Sequence, residues 1–160
     1  FVIHGAIHEA KPHLHCVIHT HSIAGMAVAS LKEGLLPMTQ TAMRFARVAT
    51  HDYEGVVLDD NERARLIANL GDCEVMFLRN HGVLAVGETV AQAFNNIYRL
   101  ERACRAQLLA SAGGQVALPA LPVIEKTNHV YKPNVRRPYG VLEWPAMRRL
   151  ADRIDPSYKN

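Results

Sequence analysis

The most informative segment of the sequence reads Leu14-His15-Cys16-Val17-Ile18-His19-Thr20-His21-Ser22. Its first six residues are mainly apolar and partly β-branched, a pattern typical of a short buried strand. Apolar residues then recur at helical spacing from Ile23 to Leu31, which predicts a helix directly after the strand, with Gly34 as its C-terminal cap. A strand followed at once by a helix is a common unit of layered α/β domains.

The same alternation of helices and strands continues on both sides of this segment. Apolar spacing, capping pairs and turn residues together mark each further element. A first helix is predicted over 2–10 and is ended by Pro12. A second helix is predicted from Asp59 to Gly71, with Asp59 and Glu62 as its capping pair, and strands are predicted at 74–78 and 83–86. A further helix is predicted from Thr89 to Gly113, with Thr89 and Gln92 as its capping pair. We therefore predict a layered α/β domain.

The longest helix, residues 35–58 and the C-terminal tail differ in how regular their sequence patterns are. The buried face of the longest helix is predicted to consist of Val90, Ala93, Phe94, Ile97, Leu100, Cys104 and Leu108. Residues 35–58 have no clear period, apart from an expected short strand at 55–58. Residues 115–160 contain six prolines and form a looser tail, in which one helix is expected between Val141 and Ile154.

The composition limits the class of protein. With 160 residues, 49% of them hydrophobic and 21% charged, the chain is expected to form one globular domain. The net charge is +3 and the basic residues are spread along the chain, so we expect no nucleic-acid partner. No apolar run approaches the length of a membrane span, and three widely spaced cysteines favour reduced thiols in the cytoplasm. Because the first residue is Phe1, inside a predicted helix, we expect a segment to precede it.

A candidate metal site begins at His19-Thr20-His21. On extended backbone, residues i and i+2 point to the same side, so two imidazoles can converge on one ion. A catalytic zinc site uses three protein ligands and one open position, so a third ligand is expected from another strand end. His81 meets this requirement, because it follows the strand at 74–78 and precedes Gly82, where the backbone can turn sharply. The alternative is three unrelated polar histidines near strand ends.

The region around this site resembles the class II aldolase/adducin family. The block from His13 to Ser22 is similar to the family's H-[TN]-H motif, and the blocks at 78–84, 87–90 and 100–104 follow in the family's order. The resemblance implies a three-layer α/β/α sandwich with a central mixed β-sheet. It also implies a homotetramer, in which the tail at 115–160 packs on the domain or on a neighbouring subunit.

The resemblance also implies a function. Fuculose-phosphate aldolases of this family hold zinc through three histidines, which match His19, His21 and His81 here. The chain would then be a divalent-metal-dependent carbon–carbon lyase, with zinc or a related ion stabilising an enediolate formed from a hydroxy-carbonyl or sugar-derived substrate. The family's catalytic glutamate aligns just before Phe1 and its tyrosine aligns near Gln40, so the proton carrier stays unidentified. The alternative is a non-catalytic, adducin-like interaction module.

The other polar clusters are assigned ordinary roles, with functional alternatives left open. His4 and His8 are expected to flank an apolar helix face, and His15 could lie behind the metal site. Residues 51–54 (His-Asp-Tyr-Glu) are expected to form a solvated loop, although they could line a pocket and carry a proton. Glu101 and Cys104 lie on the long helix, and Cys104 is expected to pack in the core, with a reactive thiol as the alternative. Arg79 and Asn80 are expected to orient the backbone beside His81, with a role in shaping the site as the alternative. Arg136 and Arg137 are expected on a solvated face, with a phosphate or a neighbouring subunit as the alternative partner.

Overall fold

The structure is a computed structural model that describes residues 2–45, 47–55, 60–132 and 134–159. The strands are β1 (Cys16–Thr20), β2 (Ala49–His51), β3 (Val75–Leu78) and β4 (Gly82–Gly87). The α-helices are α1 (Val2–Ala10), α2 (Ile23–Ala29), α3 (Gln40–Met43), α4 (Asp60–Leu70), α5 (Val90–Gly113), α6 (Leu121–Val130) and α7 (Glu143–Ile154), and a 3₁₀ helix covers Pro156–Lys159.

The four strands form one mixed sheet in the order β1-β4-β3-β2. β4 is antiparallel to both of its neighbours, whereas β2 and β3 are parallel. β3 and β4 are joined by a tight turn, in which the His81 N–H donates to the Leu78 carbonyl at 3.1 Å. Asn80 has φ of +54° in this turn, a conformation that asparagine tolerates better than most side chains.

The side chains of the sheet alternate between two separate cores. Met76 and Leu78 of β3 belong to one core, which α1 and α4 cover through Ile7, Leu66 and Leu70. Val75 and Phe77 belong to the other, which α2 and α5 cover. Neighbouring residues of a strand point to opposite faces, so a strand buried on both sides is apolar throughout. The predicted three-layer α/β/α sandwich with a central mixed sheet is confirmed.

The long helix α5 begins at the predicted cap. The Thr89 hydroxyl accepts a hydrogen bond from the Gln92 N–H at 3.1 Å. The Gln92 side-chain carbonyl accepts from the N–H of Glu88, one residue earlier than the reciprocal bond of a capping box. The predicted buried face is largely correct, but Val90, the first residue of the helix, is 50% exposed.

Several boundaries differ from the sequence prediction. The predicted cap at Gly34 is wrong, since α2 ends at Ala29 with Ser30 as its cap. The short strand β2 and the helix α6 were not predicted. The expected strand at 55–58 lies largely outside the described residues, and the predicted cap Asp59 lies outside them. Among the described helices, none is long and apolar enough to cross a membrane.

Candidate metal centre

The topology of the sheet brings the three predicted histidines together. Because β1 and β4 are antiparallel, the end of β1 lies beside the start of β4, with Thr20 paired to Val83. His19 and His21 leave β1 at this edge, and His81 lies in the turn just before β4. The ring centroids are 4.7 to 4.8 Å apart, and one nitrogen from each ring lies within 4.8 Å of the others.

Gly82 makes this close approach sterically feasible. A Cβ at this position would lie 2.5 Å from the Thr20 carbonyl oxygen, 3.0 Å from His21 Cδ2 and 3.1 Å from His19 Cε1. The first contact is with backbone and could not be relieved by a rotamer change. The glycine is therefore needed for the packing of β1 against β4 at the histidine cluster.

The hydrogen bonds of His19 orient one of its nitrogens toward His21. His19 Nδ1 lies 2.9 Å from the Val83 carbonyl oxygen, and because a carbonyl only accepts, Nδ1 carries the proton. His19 Nε2 then presents its lone pair, and it lies 2.8 Å from His21 Nε2. A metal-binding histidine commonly donates its second ring N–H to a carbonyl in this way. Two imidazoles at 2.0–2.1 Å from a tetrahedral ion would have nitrogens about 3.3 Å apart, so small side-chain adjustments would accommodate an ion.

The electrostatics favour the neutral forms of His19 and His81. Burial lowers the pKa of His19, and the neighbouring His81 and His21 lower it further, whereas the hydrogen bond to the Val83 carbonyl raises it. Burial and the nearby His21 also lower the pKa of His81, although Glu62 opposes this shift. A neutral imidazole is the form that binds a cation, so these two shifts favour metal binding by His19 and His81.

Glu101 of α5 supports the segment that carries two of the histidines. Its Oε1 accepts hydrogen bonds from the hydroxyls of Thr20, at 3.0 Å, and of Ser22. These two residues flank His21, so the carboxylate fixes the backbone on both sides of that side chain. The sequence separation of 81 and 79 residues explains why sequence reasoning missed this contact.

The cluster at residues 51–54 is divided between the core and the surface. The expected solvated loop is wrong for His51, which lies in β2 and is 3% exposed. Its Nδ1 accepts from the Asn69 amide at 2.9 Å, and its Nε2 lies 3.5 Å from the buried Glu62 carboxylate. Tyr53 is exposed, with its ring centroid 6.4 Å from that of His81. Residues 51–54 and His81 line one small cavity, and the ring of Tyr53 is the aromatic ring of this group nearest to His81 with an exposed hydroxyphenyl side chain.

The remaining histidine candidates are not part of the cluster, although His4 lies near it. His8 Nδ1 donates to the Leu14 carbonyl at 2.9 Å, and His13 and His15 are exposed. His15 therefore does not support the site from behind. His4 is partly buried and close enough to His19 to influence its pKa.

The other named residues have structural roles. Cys104 is fully buried, and burial raises its pKa to about 12, which agrees with a packing role for this thiol. Arg79 donates to the carbonyls of Leu31 and Lys32, so it ties the turn before β4 to the segment after α2.

Comparison with known proteins agrees with the fold and with the histidine blocks. The family model described as "Class II Aldolase and Adducin N-terminal domain" matches residues 1–108. The crystal structure of an aldolase II superfamily protein from Pseudomonas syringae superposes with a TM-score of 0.91 at 41% identity, over 99% of this chain and 64% of that chain. The match therefore includes the tail beyond residue 108.

Two further relatives represent the two branches of the family. An L-fuculose 1-phosphate aldolase from Glaciozyma antarctica PI12 is 35% identical with a TM-score of 0.69, over 79% of this chain and 48% of that chain. Alpha-adducin of Rattus norvegicus is 45% identical over 71% of this chain and 16% of its own length. The chain thus spans less than two thirds of the length of each of these relatives.

Proposed function

The chain belongs to the class II aldolase and adducin family, and from that premise we propose that it is a divalent-metal-dependent lyase. It would cleave a carbon–carbon bond in a hydroxy-carbonyl or sugar-derived substrate. The observation that carries this proposal is the convergence of one nitrogen each from His19, His21 and His81 within 4.8 Å. A structural role alone gives no reason for three partly exposed imidazoles to face one another.

The three histidines would hold the ion, and zinc is the proposed metal. Three imidazoles and an open position suit catalytic zinc, and imidazole also suits iron, nickel or copper. When bound, the ion would act as a Lewis acid on a carbonyl oxygen. The hydrogen bond from His19 to Val83 and the two hydroxyl bonds to Glu101 would keep two ligands in place as substrate binds and leaves.

Tyr53 is the proposed contributor to proton transfer among residues 51–54. Its phenol is exposed beside His81, whereas His51 is buried between Asn69 and Glu62. A proton carrier must come within hydrogen-bond reach of the reacting group, directly or through one water. Tyr53→Phe should therefore reduce turnover while leaving metal affinity unchanged.

The test of the proposed activity is cleavage by the purified, metal-loaded chain. Hydroxy-carbonyl compounds, with and without a terminal phosphate, would be incubated with the chain and the aldehyde product trapped and quantified. We expect cleavage by the wild type, and loss of cleavage after chelation and in His81→Ala. Metal binding without cleavage of any compound would contradict the lyase and favour the second candidate.

The second candidate is a non-catalytic, adducin-like module that acts through protein association. It is favoured by the 45% identity to alpha-adducin, which exceeds the 35% identity to the fuculose-phosphate aldolase. The module has no need for a solvent-accessible ligand set. Retention of all three histidines therefore favours the enzyme.

We also propose that the chain forms a homotetramer in the cytoplasm. The helices α6 and α7 have no buried residue within the described chain, and several of their apolar side chains are exposed. These include Leu121, Val123, Leu150 and Ile154. Such helices can bury their apolar side chains against a neighbouring subunit. Sedimentation velocity would give a tetramer if this is correct and a monomer if it is not.

A further inference from the structure

A second polar site lies away from the histidines, between the end of α3, the first half of α5 and the segment before α7. Its central residue is Arg44, which is only 6% exposed. The guanidinium donates to the side-chain carbonyls of Asn95 and, at 2.6 Å, Asn96. The Tyr139 ring lies over it, with 3.8 Å from the guanidinium carbon to the ring centroid. Arg44 is thus held in one orientation from three sides.

The charge of Arg44 is not neutralised by the groups that bind it. Both hydrogen-bond acceptors are neutral amides, and within the described residues Arg44 has no ion pair. Its buried Nε–H has no hydrogen-bond acceptor there. Burial lowers the pKa of Arg44, although Glu74 and Glu143, neither of them in an ion pair with it, oppose this shift. A buried charge without an ion pair is costly, so this arrangement favours a ligand that supplies one.

The cavity beside Arg44 is lined by more arginines than carboxylates. It has a volume of about 140 Å³, and Arg99, Arg136 and Arg137 line it together with Arg44. Among the described residues that line it, Glu143 is the one acidic side chain, and it pairs with Arg137 at 2.9 and 3.0 Å. Among the described residues Arg44, Arg99 and Arg136 have no ion pair, so three of the four arginines that line the cavity are not paired with a carboxylate.

We propose that this cavity is a binding site for a phosphate group. The guanidinium fork matches phosphate oxygens in a bidentate arrangement, and the Tyr139 hydroxyl, which accepts from Arg136, can still donate its own proton. A water molecule occupies roughly 30 Å³ of liquid, so the cavity has room for a phosphoryl group, while the rest of a larger ligand would extend into solvent. Three arginines facing one small cavity favour a dianion over a singly charged carboxylate.

This site is distinct from the histidine cluster. Asn96, which holds Arg44, donates to the Val86 carbonyl at the end of β4, whereas the histidines surround Gly82 at its start. Four residues of strand at about 3.3 Å each separate these points by about 13 Å. A phosphate bound here would therefore regulate the chain or hold a second ligand, and would not contact the histidines.

The test is calorimetric titration of the purified chain with inorganic phosphate at constant ionic strength. We expect one phosphate to bind per chain. Arg136→Gln and Arg99→Gln should each weaken binding about tenfold, since a hydrogen bond to a charged group is lost. Arg105→Gln removes the same charge from an exposed position of α5 and should bind like the wild type. Both cavity variants replace side chains that are not fully buried, so we expect them to fold.

Three outcomes for the wild type and the arginine variants would overturn the proposal. They are the absence of phosphate binding, equal phosphate affinity in all three arginine variants and the wild type, and equally tight binding of acetate. His81→Ala separates this site from the proposed metal centre. Phosphate binding retained in His81→Ala supports an independent site, and binding lost there would place the phosphate at the histidines and contradict the proposal.

Discussion

Gly82 lies where the Thr20 carbonyl and the rings of His19 and His21 converge. An added methyl group would clash with backbone at 2.5 Å, so β1 and β4 would have to separate. We expect Gly82→Ala to lower the free energy of unfolding by about 1–3 kcal/mol, as overpacking does elsewhere. Urea unfolding followed by circular dichroism measures this change.

Gly5 is the matched control for that substitution. It lies inside α1, and a Cβ there would meet nothing within 4 Å. Alanine in a helix interior is favoured over glycine, so Gly5→Ala should raise the free energy of unfolding by about 0.5–1 kcal/mol. A Gly82→Ala variant as stable as the wild type would contradict the steric account of Gly82.

Glu101 is the residue whose effect on the proposed metal site is indirect. Glu101→Leu leaves the hydroxyls of Thr20 and Ser22 without their acceptor, and we expect metal affinity to fall about 10–100-fold. Glu101→Gln keeps one acceptor oxygen and should recover part of this loss. Glu125→Leu, on the exposed side of α6, should have no effect. Competition with a zinc-binding dye gives the affinities, and an unchanged affinity in Glu101→Leu would refute a positioning role.

The residues of the candidate site were predictable only in part. His19, His21 and His81 follow from strand parity and from the rule that ligands gather at strand ends. The roles of Glu101 and Arg44 did not follow, because each depends on partners more than 50 residues away. The use of the three histidines as metal ligands stays a prediction, and so does the use of Arg44 as a phosphate anchor.

At the scale of elements, long periodic segments were predictable and short ones were not. The helix at 2–10 and the start of α5 agree with the sequence pattern, and β3 and β4 agree to within one residue at each end. β2 has three residues, too few to display a period of two, and its position is set by parallel pairing with β3. Helix α6 has Pro122 in its first turn, which is a signal for the start of a helix. Because the tail contains six prolines, its sequence was interpreted as a loose segment and this signal was not used.

Helix α7 is expected to lose its anchor in acid. The bidentate bond from Arg137 lowers the pKa of Glu143 from its ordinary 4.5 to about 2. Because the folded pKa lies below the unfolded one, this carboxylate stabilises the folded chain above pH 4.5, and that contribution is lost as pH falls from 4.5 toward 2.

Trp144 is the single tryptophan and lies on α7, and its ring centroid is 5.2 Å from that of Phe94. Its fluorescence therefore reports on the loss of the α7 anchor. In the wild type its fluorescence should change between pH 4.5 and 2. Arg137→Gln should shift the midpoint of that change to higher pH, while Arg148→Gln should not. Equal midpoints in the wild type and Arg137→Gln would show that the ion pair does not anchor the helix.

At the scale of the whole molecule, the fold explains why the histidines meet. Two helical layers enclose a sheet whose antiparallel pair β1–β4 joins the His-Thr-His segment to the turn after β3. That topology belongs to a family that includes both aldolases and adducins, so fold alone does not decide between catalysis and association. The decision depends on whether the cluster binds a metal.

Elemental analysis of the purified chain tests this most directly. Wild type, His81→Ala and the exposed control His129→Ala would be incubated with zinc, freed of unbound ion and measured side by side. We predict about one zinc ion per chain in the wild type and in His129→Ala, and none in His81→Ala. A wild type without bound metal, or a His81→Ala variant that retains it, would contradict the three-histidine metal centre.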